Sequence, residues 1–202
     1  INDINMHEMT KSHPSRIRAG DYQCLKGRVL DIGCGPDPIV LDAPSTVRGW
    51  DLPDGDAQYL QSIENSTFDV IVASHVLEHV VDVQTTRKSW SRVLVEGGYC
   101  YILVPDYRLY EKLYDFSFGL NPSRFNGDHK SSFSLENLVH KPRNHPHYGF
   151  KEMRCMGLEA GLTLIDCRIE ADFFDWKLIT STKLDQTRRN AQAQLCFIYQ
   201  KL

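Results

Sequence analysis

No apolar run in this sequence approaches the length of a membrane span; the longest, such as Val70–Ala73 and Tyr99–Val104, are strand-sized. A secretory apolar core is also missing ahead of the first predicted strand. Cys24, Cys34, Cys100, Cys155, Cys167 and Cys196 are scattered singly with no CxxC pair, so reduced thiols in a cytoplasmic protein are expected. Charge of one sign is lacking as well. A formal net charge of −3 sets up no global field that would draw in a nucleic-acid backbone, and nucleic acid is not expected as a partner. There is no low-complexity segment, internal repeat or linker. The chain opens at Ile1 without methionine, which leaves room for residues upstream.

What remains is an ordinary globular composition, 42% hydrophobic and 24% charged over 202 residues, enough for one core without disulfide or metal staples. RVLDI at 28–32 is short, β-branched and followed at once by GCG, which predicts a buried strand ending in a tight turn. VRGW at 47–50 and part of FDVIVASHVL at 68–77 predict two more strands. From 82 to 96, Val83, Trp90, Val93 and Leu94 recur at helical spacing, with Asp82 as N-cap and Gly97-Gly98 as the stop. YCYILVP at 99–105 follows as a strand, and strand–helix–strand in that order requires a right-handed crossover in a parallel sheet.

Residues 106–148 break into aromatics, prolines and histidines, with a short helix predicted at 135–141 after Ser134. A further helix carrying Phe150, Met153 and Leu158 ends at Gly161. LTLIDCRIE and AQLCFIYQK then predict two strands pairing antiparallel at one sheet edge.

The segment VLDIGCGPDP at 29–38 sets an acid at a strand end and two glycines in the turn beyond it, where backbone can approach a ligand closely. This D-x-G-x-G departs from the dinucleotide G-x-G-x-x-G, because the third glycine position falls at Pro38 and Pro36 crowds the helix start, so a pyrophosphate site is disfavoured. Twenty residues beyond Asp31 stands Asp51, at the end of the second strand, where a carboxylate can accept from both hydroxyls of a ribose.

These residues resemble the class I S-adenosylmethionine-dependent methyltransferases, in particular a subgroup reading VLEHV. The matching elements are VLDIGCG (29–35), GDA (55–57), FDVIVASHVLEHV (68–80) and RVLVEGGYCYILVP (92–105), in unbroken order. The resemblance implies an α/β fold: a Rossmann-like sheet, mostly parallel with an antiparallel edge hairpin, helices on both faces, and a compressed region after the second strand, since Asp51 and Asp56 are only five positions apart. It implies S-adenosylmethionine as cofactor and S-adenosylhomocysteine as product. Gly33, Cys34 and Gly35 would wrap its methionine part, with Asp31 orienting the loop and the amino group. Asp51, beside Leu52, would hold the ribose, Asp56 and the Ala57 amide the adenine, and Ser74 and His75 would complete the pocket.

On this reading the chain is a single methyltransferase domain over 1–202. It comprises an N-terminal segment (1–26), a cofactor-binding half (27–105), a substrate-covering insertion (106–148), and a C-terminal helix with edge strands (149–202). The compression after Asp51 is found in relatives that modify glycans and small metabolites. The stretch VPDYRLYEK…NPSRFNGDHKSSFSLENL at 104–138 also resembles a segment of sugar-linked methyltransferases. The expected activity is methyl transfer to oxygen or nitrogen of a small, sugar- or glycan-related acceptor, walled by residues 106–118 and 121–130. The alternative is a non-catalytic cofactor-binding module that acts with a partner subunit.

His129 is the candidate general base, oriented by Asp128. Alternatively, Asp128-His129-Lys130 merely ties the insertion to the sheet. His75 and His79 are four apart without the HExxH placement of the acid, and no third ligand is evident, so no metal is expected. His79 is expected to cap or pack, and Asp69 to serve structure. His140, His145 and His147 read as a solvated loop, and Arg87, Lys88 and Arg92 as the wet face of the predicted helix.

Overall fold

RVLDI forms β1 (Arg28–Ile32), and its last four residues are buried because parallel neighbours flank both edges, β2 (Thr46–Trp50) and β3 (Phe68–Ser74). The computed structural model describes residues 7–110, 127–136, 146–178 and 186–202. β4 (Leu94–Pro105) continues the sheet parallel to β3. β5 (Ser132–Phe133) and β6 (His147–Tyr148) form a small separate pair. β7 (Leu162–Glu170) and β8 (Gln194–Lys201) close the large sheet as an antiparallel hairpin, giving the order β2-β1-β3-β4-β8-β7. This is the mostly parallel, Rossmann-like sheet with an antiparallel edge that the sequence predicts.

Alternate residues of each strand feed opposite cores. Leu30, Ile32, Ile71, Ala73, Ile102 and Val104 face the layer holding Trp90 and Met153, whereas Val29, Val70, Val72, Tyr101 and Leu103 pack with Met9, Leu25 and Ile39. The first layer belongs to α2 (Val83–Val93) and α3 (Phe150–Glu159), the second to α1 (Glu8–Ala19). α1 has no counterpart in the sequence-based reading. Its buried face is largely polar, Lys11, Ser12, Ser15 and Arg16 beside Met9, and Pro14 lies within it. Those groups are matched by polar partners: Ser15 Oγ sits 2.8 Å from Asp172 Oδ2 and 2.9 Å from Gln192 Oε1.

Asp82 caps α2 as expected, accepting from the Thr85 amide at 3.0 Å. The glycine pair, however, does not end that helix. Leu94 already turns extended (φ −77°, ψ 145°) and begins β4. Gly97 (φ +74°) and Gly98 lie inside the strand instead, where the register against β3 shifts. A Cβ on Gly98 would come within 2.9 Å of the Asp69 carbonyl. Asp69 is structural, ion-paired to Arg28 at 3.0 Å.

Two further readings are corrected. Arg87 is not on a wet face but fully buried, its guanidinium carbon 4.1 Å from the Tyr199 ring centre and Nη1 donating to the Met153 carbonyl at 3.1 Å. α3 approaches β8 so closely, through Gly157, that Arg87 is sealed beneath it. His147 is buried rather than solvated, held between Ser132 Oγ at 2.8 Å and Ser134 Oγ at 3.0 Å. His140, His145, residues 111–118 and 121–126 of the expected acceptor wall, and most of the helix expected at 135–141 lie outside the described residues. Residues 51–67 between β2 and β3 contain no strand, only a 3-10 turn at Leu52–Asp54, with Leu60 and Ile63 anchored in the core. The compression read from the sequence is present.

Candidate active site

β1 delivers its chain directly into the glycine loop. The Gly33 amide donates to the Trp50 carbonyl at 2.7 Å, which ties the turn to the end of β2. Gly33 has φ +68°, and a Cβ there would lie 2.3 Å from Val76 Cγ2, so both the backbone conformation and the space require glycine. Asp31 is 1% exposed; Oδ2 accepts from the Ile39 amide at 2.7 Å, while buried Oδ1 has no hydrogen-bond partner. Burial pushes its carboxyl up to about 6, against the lowering effect of the Ile39 amide.

Asp51 grips the other side of the loop, accepting from the Gly35 amide at 2.9 Å and the Leu52 amide at 2.7 Å. Around the loop lies a cavity of about 150 Å³ whose wall includes Asp31, Gly33, Cys34, Gly35, Ser74 and His75, together with His7, Glu8 and Met9 from the start of α1. The Thr10 amide donates to Asp37 Oδ2 at 2.8 Å, which holds that start against the loop. Asp51, Leu52, Asp56 and Ala57 are not part of this wall. Asp56 instead accepts from the Gln58 amide at 2.7 Å, the Ala57 carbonyl receives Trp90 Nε1 at 2.8 Å, and the Leu52 side chain is exposed.

At the carboxyl end of β3 the chain turns through His75, a non-glycine residue at φ +56°. Its Nε2 pairs with Gln194 Oε1 at 2.9 Å and its Nδ1 stands 3.3 Å from Glu78 Oε1. Burial opposes the imidazolium, but the Glu78 carboxylate, then Glu8, outweigh it and raise His75 to about 9. Glu78 itself is 1% exposed; its Oε1 is paired with the His75 ring, and its Oε2 has no hydrogen-bond partner.

The amides of Lys130 and Ser131 both donate to the Glu78 carbonyl, at 2.6 and 3.1 Å, so this part of the insertion is fastened through backbone to the turn that follows β3. That attachment delivers His129, 5% exposed, edge-on to His79 with ring centres 5.0 Å apart and stacked with Tyr110 at 5.7 Å. Asp128 reaches the site through its carbonyl, 3.3 Å from His79 Nδ1. The expected capping role of His79 thus takes the form of a bond to the insertion. A second cavity, of about 220 Å³, is bounded by Glu8, His75, Glu78, His79, Tyr110 and His129. Glu8 and His75 belong to both walls, so the two chambers adjoin.

Residues 9–141 match the family model described as a methyltransferase domain, about two thirds of the chain, including the glycine loop and the segment that carries His75, Glu78 and His79. The chain belongs to the methyltransferase-domain family. It is a class I S-adenosylmethionine-dependent methyltransferase, with S-adenosylmethionine as its cofactor. No curated protein matches the sequence.

Among solved structures, this methyltransferase is similar to a SAM-dependent methyltransferase from Methanosarcina mazei (18% identity, 92% of this chain and 97% of that one, TM-score 0.52). It is also similar to a SAM-dependent methyltransferase from Archaeoglobus fulgidus (18% identity, 96% and 94%, TM-score 0.50). A third similar structure concerns conversion of a disulfide bond into a thioacetal group during echinomycin biosynthesis (15% identity, 96% and 84%, TM-score 0.58). These likenesses are of fold. Among the described residues no helix is long and apolar enough to cross a membrane.

Sequence reasoning missed His7, Glu8, Met9 and the place of Glu78 in the site, whereas Tyr110 falls within the expected acceptor wall. The first three ride on a helix without an apolar stripe, and Glu78 was visible only as a letter inside VLEHV, its side-chain direction being set by the turn at His75.

Proposed function

We propose that the smaller chamber takes the methionine end of S-adenosylmethionine and that the adjoining one takes a small hydroxyl-bearing acceptor of the sugar or glycan class. The observation that carries this is the shared wall of Glu8 and His75, which sets a glycine cradle directly beside a polar chamber. The cradle fits the cofactor: Asp31 Oδ1 and Ser74 Oγ are buried polar atoms without hydrogen-bond partners, suited to an ammonium and a polar tail. Gly33, Cys34 and Gly35 allow close backbone approach, Asp51 and Leu52 serve the ribose side, and Asp56 and the Ala57 amide the adenine side.

The bound cofactor supplies a methyl carbon already activated by a sulfonium sulfur. The protein's own task is therefore mostly positioning and exclusion of water. His129, with Asp128 fixing its neighbour His79, is the group that meets the acceptor's proton. Tyr110 stacks on His129 and gives the chamber a flat face suited to a ring. The six cysteines are all unpaired, which supports a reducing, cytoplasmic setting.

The test is release of S-adenosylhomocysteine with a panel of sugars, sugar nucleotides and glycans, followed by mass spectrometry of the product. Turnover confined to acceptors outside that panel removes the sugar assignment. Cofactor binding with no turnover on any acceptor returns the reading to a non-catalytic module.

A further inference from the structure

We propose that Glu78, His79 and His129 hold one divalent transition cation, zinc(II) or manganese(II), on the wall of the acceptor chamber. The proposal rests on the acceptor reading above and deepens it, giving His129 the part of a ligand in place of a base.

One ligand atom from each of these residues lies within 4.8 Å of the other two. Around a tetrahedral ion with bonds of roughly 2.05 Å, ligand atoms stand about 3.3 Å apart, so side-chain shifts of about an ångström close the set. The Glu78 carboxylate is buried; Oε1 is paired with the His75 ring at 3.3 Å, while Oε2 has no hydrogen-bond partner and is the oxygen a cation would take. Glu78 Oε1 faces His79 Nε2 at 3.9 Å. His79 Nδ1 meets the Asp128 carbonyl, which can only accept, so Nδ1 carries a proton and Nε2, the nitrogen on the Glu78 side, is the one available to a cation. An imidazole that donates its far N–H to a carbonyl is the usual outer support of a metal-binding histidine. The Lys130 and Ser131 amides bound to the Glu78 carbonyl hold the His129 segment against the turn that carries Glu78 and His79.

His75 holds the same carboxylate through Oε1 at 3.3 Å, which leaves Oε2 to the cation. A second group, Asp21, Glu170 and Cys196, has comparable spacing but is already filled by a cation of the protein's own: the Arg168 guanidinium bonds Asp21 and, at 2.8 Å, Glu170.

Two imidazoles and one carboxylate suit borderline divalent ions and leave positions open toward the 220 Å³ chamber. An acceptor hydroxyl at such a position loses its proton to water more readily. Its oxygen lone pair then forms the bond to the methyl carbon as the carbon–sulfur bond breaks and its electron pair passes to sulfur.

The test is titration of cobalt(II) into chelator-treated protein, followed by visible absorption, with S-adenosylhomocysteine binding measured separately by calorimetry. Wild type should take up one equivalent with ligand-field bands, and Glu78→Gln and His79→Gln should each weaken binding at least tenfold. His79 is 42% exposed, so its variant folds even if a buried Glu78→Gln does not. Absence of bands in wild type, or unchanged binding in a folded His79→Gln variant, overturns the cation site. If cobalt binds as expected but S-adenosylhomocysteine does not, the cation site stands and the cofactor reading fails. Loss of cobalt binding with cofactor binding retained has the opposite meaning.

Discussion

The Gly35 amide donates to Asp51 Oδ2 across 2.9 Å, so the acid that closes β2 braces the glycine loop that follows β1. The carboxylate at the proposed ribose site is therefore also a support of the proposed methionine site. Asp51→Ala should cost both at once. Loss of a paired acceptor is worth about 1–3 kcal/mol, so S-adenosylhomocysteine affinity should fall roughly 5- to 150-fold in calorimetry. Asp51→Asn keeps an oxygen for the Gly35 amide and should retain part of that affinity. Equal losses in the two variants would contradict the bracing role.

Gly33→Ala meets two obstacles, a left-handed φ of +68° and Val76 Cγ2 at 2.3 Å from the new Cβ. Strain and overpacking together should destabilise the fold by about 2–4 kcal/mol in urea melts. Adding Val76→Ala should recover the steric part and leave the conformational part of about 1–2 kcal/mol.

Asp31 titrates near 6, above its ordinary value of 3.8, because burial disfavours its charge. Its contribution to the stability of the ligand-free fold is fully present below about pH 4 and is lost as pH rises through about 6. Asp31→Asn should therefore stabilise the fold at pH 8 by about 1–3 kcal/mol, read as a higher melting temperature. Cofactor binding should run the other way. Affinity for S-adenosylhomocysteine should decline as pH drops below about 6, where the carboxyl proposed to face the ammonium becomes neutral, and this pH dependence should vanish in Asp31→Asn.

Buried Arg87, with Nε and Nη2 unpartnered, is held by the Tyr199 ring and the Met153 carbonyl. Arg87→Ala should destabilise by about 3–5 kcal/mol, since it leaves a cavity under α3 and removes the ring's cation. Arg87→Met fills most of the volume without a buried charge and should cost far less. Denaturant midpoints of the two variants decide this.

Strands β1 and β3, the cap at Asp82, the β7–β8 hairpin and the glycine loop were legible in the sequence because each rests on local chemistry: apolar runs, a capping oxygen, a turn that only glycine makes. The ordered motifs from VLDIGCG to VLEHV carried the family for the same reason. α1 stayed hidden because its buried face is polar, and a polar face is buried only when distant partners such as Asp172 and Gln192 arrive to satisfy it. Gly97 and Gly98 resembled a helix stop, but the close approach of the Asp69 carbonyl gives them a place inside a strand.

The sequence by itself determined the fold class, the cofactor and the tight glycine turn after β1, since neighbouring residues set those features. Only the tertiary structure decided which side chains share a chamber. Glu78 and His79 are adjacent in the chain, but the third member of their cluster, His129, stands fifty residues on. It is brought to them by two backbone hydrogen bonds to the Glu78 carbonyl, and backbone bonds leave no mark in the identity of the residues that make them.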